Sequence, residues 1–115
     1  MLLGAARMHL KRRRLWWRAR RAFRDLAPLT EATAPDPGGV VAFLCLRDEA
    51  LRLPGFLDHH RALGVGRFVV VDNDSTDASR AFLAAQPDVA LWTTSASYRG
   101  SRFGVDWLNA LRARE

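Results

Sequence analysis

The chain has 115 residues, of which 18 are Lys or Arg and 12 are Asp or Glu, so its formal net charge is +6 at pH 7. This length allows one domain at most, with a modest hydrophobic core. The single cysteine, Cys45, excludes an intrachain disulfide, and no apolar run approaches the roughly 18 residues that a membrane-spanning helix needs.

The positive charge is concentrated in the first 24 residues, which contain nine basic residues and no acidic one. Residues 25–115 contain nine basic and twelve acidic residues. Apolar residues of the leader recur at helical spacing, with Trp16 and Trp17 beside them and arginines around the rest; they are Leu15, Ala19, Ala22, Phe23 and Leu26. We therefore predict a basic amphipathic helix over residues 1–27 that lies on an anionic membrane surface.

Two alternatives for this leader stay open. It could be a solvated tail that contacts nucleic acid without sequence specificity, or a helix that packs against the rest of the chain through its tryptophans. No specific nucleic-acid partner is expected. We expect a cytoplasmic protein, with the leader attached to the inner face of the plasma membrane.

Residues 28–39 are rich in proline, glycine and small residues and are predicted to be a linker. The apolar run Val40–Leu46 predicts a buried strand that ends in polar residues. A helix is predicted over residues 53–64, with Pro54 in its first turn and Gly64 as its carboxyl-terminal cap.

A second strand, residues 68–71, leads directly into a segment with three carboxylates, residues 72–77. Ser75 or Asp77 can cap a helix over residues 78–85, and a third strand, a polar loop and a last helix follow at residues 89–93, 94–102 and 103–114. This alternation predicts an α/β domain with parallel strands over residues 40–115. In such sheets, ligands bind beyond the carboxyl ends of the strands.

Five segments resemble the amino-terminal half of bacterial family 2-type glycosyltransferases, which have the GT-A fold. They are residues 46–49, 53–65, 71–77, 86–89 and 103–110. The resemblance implies a Rossmann-like β-α-β-α-β-α half of a GT-A domain. Residues 72–77 are similar to the Asp-Asp-Gly-Ser-Thr-Asp element that holds the nucleoside of a nucleotide-sugar in this family, with Asn73 in place of the second Asp and Asp74 in place of Gly.

By this resemblance the chain binds a nucleotide-sugar donor. Asp72 and Asn73 would contact base and ribose, and arginines after the third strand would contact the diphosphate. The predicted donor-binding residues are Leu46, Arg47, Asp48, Asp72, Asn73, Asp77, Arg99 and Arg102.

The resemblance also implies a divalent cation, Mn²⁺ or Mg²⁺, that bridges the diphosphate. Its ligands and the catalytic base belong to a later half of the family's domain, so no catalytic or metal-binding residue is predicted here. We therefore expect a fragment, or one part of a split enzyme, that binds the donor without transferring the sugar to a glycan or lipid acceptor.

Other interpretations of the acidic segment remain. The residues Asp72, Asp74 and Thr76 fit the DxDxT loop of haloacid-dehalogenase-type phosphatases, in which the first Asp is the nucleophile and the second is the acid/base. Those enzymes need a lysine, and the chain's only lysine is Lys11 in the leader. The acids could also act only as turn and cap residues, or the chain could be a non-catalytic binding module that works through its leader.

Overall fold

The structure, a computed structural model, describes residues 2–34, 39–102 and 104–114, with side chains described from Lys11 onwards. Part of the predicted linker and the predicted start of the last helix, Phe103, lie outside these ranges. The elements in chain order are α1 (Leu2–Phe23), β1 (Ala27–Thr30), β2 (Val40–Leu46), α2 (Leu53–Ala62), β3 (Val65–Asn73), α3 (Ser79–Ala84), β4 (Val89–Thr94) and α4 (Val105–Arg112).

The strands form one mixed sheet in the order β1-β4-β3-β2. β2, β3 and β4 are parallel, and β1 pairs antiparallel with β4. The α/β class with alternating strands and helices is therefore confirmed, in a form compatible with a Rossmann-like fold. β2 forms an edge of this described sheet, with β3 as its neighbour.

Helices cover both faces of the sheet because its central strand, β3, is apolar on both sides. Phe68 and Val70 pack in the cluster formed by α2 and α3, whereas Val69 and Val71 pack in the cluster formed by α1 and α4. Alternate residues of a strand point to opposite faces, so four consecutive apolar residues supply two cores. The result is a sheet between two helical layers.

Sequence signals explain the limits of α2. Pro54 lies in its first turn, where a missing N–H costs no helical hydrogen bond. Gly64 follows the helix with a φ of +102°, the left-handed conformation that ends many helices. Both features of this helix were predicted from the sequence.

The segment after α1 differs from the prediction. Residues 28–30, assigned to a linker from the sequence, instead belong to the edge strand β1, in which Pro28 lies opposite Trp92. An edge strand tolerates proline because one side of the strand needs no ladder hydrogen bond. Beyond it, the N–H groups of Thr33 and Ala34 donate to the carbonyl of Pro87. This part of the segment is thus attached to the sheet.

The apolar stripe of α1 packs inside the domain. Ala19, Ala22 and Leu26 are buried in the cluster that contains Trp107 of α4. The Arg18 Nε also donates to Asp106 Oδ2 of α4 at 3.4 Å. The leader helix thus packs on the rest of the chain, but not through its tryptophans as one alternative expected, since Trp16 and Trp17 are exposed. No described helix is long and apolar enough to cross a membrane.

Candidate functional site

The carboxyl ends of the three parallel strands meet at one edge of the sheet. Leu46 lies beside Asp72, and Asp72 lies beside Thr93. The polar segments that follow β2 and β3 are therefore neighbours, as the alternation of strands and helices predicted.

Asp48 joins the loop after β2 to the loop after β3. Its Oδ1 accepts hydrogen bonds from the N–H groups of Thr76 at 2.7 Å and Asp77 at 3.2 Å. Its own N–H donates to Ser75 Oγ at 2.9 Å. The Asp48 carboxylate, predicted to bind a ligand, is thus used to hold the backbone of the neighbouring loop.

The same two loops are bonded again in the opposite sense. The N–H of Glu49 donates to Ser79 Oγ at 2.9 Å, and the N–H of Ala50 donates to Asp77 Oδ2 at 3.1 Å. Asp77 Oδ1 accepts from the N–H of Ser79 at 2.8 Å, at the start of α3. The hydrogen bonds from Ser79 lower the pKa of Asp77, so this carboxyl stays ionised as an acceptor. We call these reciprocal bonds the loop clamp.

Asp72 is fully buried and is paired with an arginine of α3. Its Oδ2 accepts from Arg80 Nε at 3.0 Å and Nη2 at 2.9 Å, and from the N–H of Ser75 at 3.3 Å. Its Oδ1 is also buried and has no hydrogen-bond partner among the described residues. Arg80 was not predicted from the sequence, although it is the one basic residue on α3.

Three non-glycine residues at this edge have left-handed backbone conformations. They are Asp48 with a φ of 52°, Asp74 with 58° and Arg102 with 54°. One lies in the loop after each parallel strand. Positive φ is uncommon outside glycine and often marks functional segments, so all three loops carry local backbone strain at the same edge.

A pocket of about 290 Å³ opens at the carboxyl end of β2. It is lined by Cys45, Leu46, Arg47, Glu49 and Tyr98. Leu46 and Arg47 were predicted site residues. Tyr98, whose side chain is exposed for about 44% of its area, was missed because nothing in its local sequence relates it to β2.

Gly104 allows the start of α4 to approach this pocket. A Cβ at this position would lie 3.1 Å from Cys45 Cβ and 3.4 Å from Tyr98 Cε2, and the residue has a φ of 83°. A side chain at this position would crowd Cys45 and would be strained at this φ. Burial, with a smaller contribution from the charge of Asp72, raises the pKa of Cys45 to about 11, so its thiol is neutral at pH 7.

The other predicted residues do not line this pocket. Asn73 is buried at the end of β3, with 7% of its area exposed. Arg102 Nε donates to Asp106 Oδ1 at 3.0 Å, so its guanidinium is already paired. Arg99 is exposed on the loop that also carries Tyr98.

The described residues do not fit the divalent cation that the resemblance implies. Among them there is no group of three His, Cys, Asp or Glu side chains that could hold a metal ion. Glu49 is the one carboxylate in the described lining of the pocket, and those of Asp48 and Asp72 are bonded to backbone N–H groups and to Arg80. We therefore assign no metal-binding role to these residues.

Comparison of the chain with protein-family models, with curated proteins and with solved structures gave no match. We therefore base a functional proposal on the chemistry of the pocket and of the three loops that follow the parallel strands.

Proposed function

We propose that the carboxyl edge of the sheet binds the nucleoside diphosphate part of a nucleotide-sugar, as the donor-binding half of a GT-A glycosyltransferase does. The observation that carries this proposal is the pocket at the end of β2, where Tyr98 faces the predicted residues Leu46 and Arg47. It lies where ligands bind in open α/β sheets.

The pocket and the loop that carries Tyr98 offer groups for the base and for the diphosphate of such a ligand. A base is flat, so it can stack on the ring of Tyr98 while its polar edge bonds to the backbone of Leu46 and Arg47. The diphosphate needs positive charge, and the Arg47 side chain is 60% exposed beside the pocket. Arg99 supplies a second exposed guanidinium on the loop of Tyr98.

The acidic segment has a different role in this proposal from the one expected from the sequence. Asp72 holds Arg80 and the turn at Ser75, and Asp48 and Asp77 hold the loop clamp. These residues position the loops that border the pocket. Asp72 Oδ1 remains as a buried acceptor without a described partner.

Transfer of the sugar to a glycan or lipid acceptor is the reaction that the resemblance to family 2-type glycosyltransferases implies. For the described residues we propose donor binding. The binding should be weak, with a Kd of about 0.1 to 1 mM, since the pocket is small and open on one side.

The phosphatase alternative is less favoured by the same geometry. Its nucleophile would be Asp72, which is fully buried and paired with Arg80. A carboxylate held by a guanidinium is a poor nucleophile and has no open path for in-line attack.

The test is titration of the full chain with UDP and with GDP, with two-dimensional ¹H–¹⁵N NMR spectra recorded at each step. Tyr98→Ala should raise the Kd by about fivefold or more, because it removes the stacking surface. Arg47→Ala should weaken diphosphate binding more than uridine binding. Arg112→Ala is the matched control, since Arg112 is exposed at the end of α4 and does not line the pocket.

The proposal fails if neither nucleotide shifts any signal at several millimolar. It also fails if the three variants respond alike. Release of phosphate from p-nitrophenyl phosphate, lost on Asp72→Asn, would instead support the phosphatase.

A further inference from the structure

The solvent-facing side of α1 carries a tryptophan surrounded by arginines. Residues three and four apart are neighbours on a helix. Trp17 therefore lies between one arginine pair a turn before it and another a turn after it, and a fifth arginine follows directly after the last residue of α1. We call this surface the Trp17 face; its members are Arg13, Arg14, Trp17, Arg20, Arg21 and Arg24, all exposed.

The Trp17 face is on the opposite side of the helix from Ala19 and Ala22, which are buried against the domain. Packing therefore fixes its direction. Trp17 exposes 57% of its area and Trp16 exposes 51%, large values for residues that gain from burial.

The charge of this face is not balanced within the described part of the chain. Arg18 pairs with Asp106, but no described carboxylate pairs with the five arginines of the Trp17 face. Like charges at i,i+3 and i,i+4 repel each other and destabilise a helix. An anionic partner would relieve this repulsion.

A cleft of about 690 Å³ continues the face between α1 and α4. The Arg20 guanidinium lies 4.8 Å from the ring centre of Trp16, and that of Arg114 lies 4.7 Å from the ring centre of Phe23. The cleft thus joins positive charge to aromatic surface, a combination that suits a phosphate carried by an apolar group.

We propose that the Trp17 face binds the surface of an anionic phospholipid membrane, with its arginines on lipid phosphates and the Trp17 indole at the headgroup level. The sequence alone predicted membrane contact through the apolar stripe of α1. In this proposal that stripe stays packed on the domain, and the opposite side of the helix meets the lipid.

A membrane fits the aromatic geometry better than a nucleic acid does. The rings of Trp16 and Trp17 meet edge to face at 78°, with centres 5.1 Å apart, and Arg20 covers Trp16. Successive bases stack on open, flat ring faces, which this pair does not offer. Insertion of an indole edge among lipid headgroups needs no such platform.

The test is sedimentation of the full chain with vesicles of phosphatidylcholine containing 30% phosphatidylglycerol. The triple variant Arg13→Gln, Arg20→Gln, Arg24→Gln should bind about 100-fold more weakly, since each arginine near an anionic surface contributes about fivefold. Its matched control is Arg47→Gln, Arg52→Gln, Arg112→Gln, which changes the net charge equally with exposed arginines elsewhere. This control should lose only a few-fold.

Quenching of tryptophan emission by dibrominated lipid gives an independent measurement, and Trp17→Phe should remove most of it. Circular dichroism checks that each variant keeps its helices. Equal losses for the two triple variants would overturn the proposal, as would no binding to the anionic vesicles at low salt. Tight binding to an RNA oligomer without lipid quenching would overturn it in favour of nucleic acid.

Discussion

The loops beside α2 and α3 differ from the layer formed by α1 and α4 in how their charges are used. In the loop clamp, Asp48 and Asp77 are bonded to backbone N–H groups, and Asp72 is paired with Arg80. On α1, the arginines of the Trp17 face have no described carboxylate partner. The acid-rich segment was the predicted ligand site, but many of its carboxylate oxygens accept hydrogen bonds from within the chain.

This difference teaches that charge density alone does not identify a binding surface. A carboxylate oxygen that accepts two backbone N–H groups, as Asp48 Oδ1 does, stabilises a loop and has little capacity left for a ligand. Exposed groups that no described carboxylate pairs, such as the arginines around Trp17, are better candidates for contact with another molecule. Three substitutions and one change of pH test this difference between the two regions.

The largest loss of stability is expected from a substitution in the packed core between α1 and α4. Trp107 is fully buried in the cluster with Ala19 and Ala22, so Trp107→Ala should lower the free energy of unfolding by about 3 to 5 kcal/mol. Trp17→Ala, on the exposed side of α1, should change it by less than about 0.5 kcal/mol. Urea denaturation followed by circular dichroism measures both, and similar losses would mean that α1 does not hold this orientation.

The second effect concerns the buried carboxylate of the opposite layer. Asp72→Asn should lower the free energy of unfolding by about 1 to 3 kcal/mol, because it leaves Arg80 without its ionised partner. Asp74→Asn is the control, since Asp74 is exposed and asparagine tolerates its positive φ. If the two variants unfold at the same urea concentration, Asp72 is not a structural anchor.

A smaller effect is expected from one bond of the loop clamp. Ser79→Ala removes the acceptor for the Glu49 N–H and should lower the free energy of unfolding by about 1 kcal/mol. Ser95→Ala, at an exposed position, should have no measurable effect. Hydrogen exchange at the Glu49 amide should quicken in the first variant alone, and unchanged exchange there would contradict the clamp.

The smallest effect is a loss of stability at alkaline pH. The folded chain keeps the Cys45 proton to about pH 11, whereas the unfolded chain loses it near pH 9, so stability should fall as pH rises through this window. We expect a loss of less than about 1 kcal/mol, because the side chain is partly exposed to water. Cys45→Ala should flatten this part of the pH profile, and an unchanged slope would contradict the raised pKa.

Much of the fold could be predicted because its signals are local. The limits of β2, the proline and glycine at the ends of α2, and the alternation of strands and helices follow from hydrophobic runs and turn residues. β1 could not be predicted in this way. Its four residues include Pro28, and it exists because of pairing with Trp92 and Thr93, more than sixty residues later.

The site was predictable only in outline, for the same reason. Leu46 ends β2 and Arg47 follows it, and both of these predicted residues line the pocket. Tyr98 lines the pocket beside Cys45, a residue far from it in sequence, and Gly104 lies close to both. The pairing of Asp72 with Arg80 depends on how α3 packs on the sheet, which periodicity alone does not specify.

The edge position of β2 has a consequence for the behaviour of the protein in solution. Its seven residues carry no charge and no proline, and Val40 is 60% exposed. Natural edge strands are usually protected by charged residues or proline, because unpaired backbone N–H and C=O groups can bind a strand of another molecule. We expect the fraction of protein lost to aggregation to rise steeply with protein concentration. The reason is association of these edges rather than unfolding.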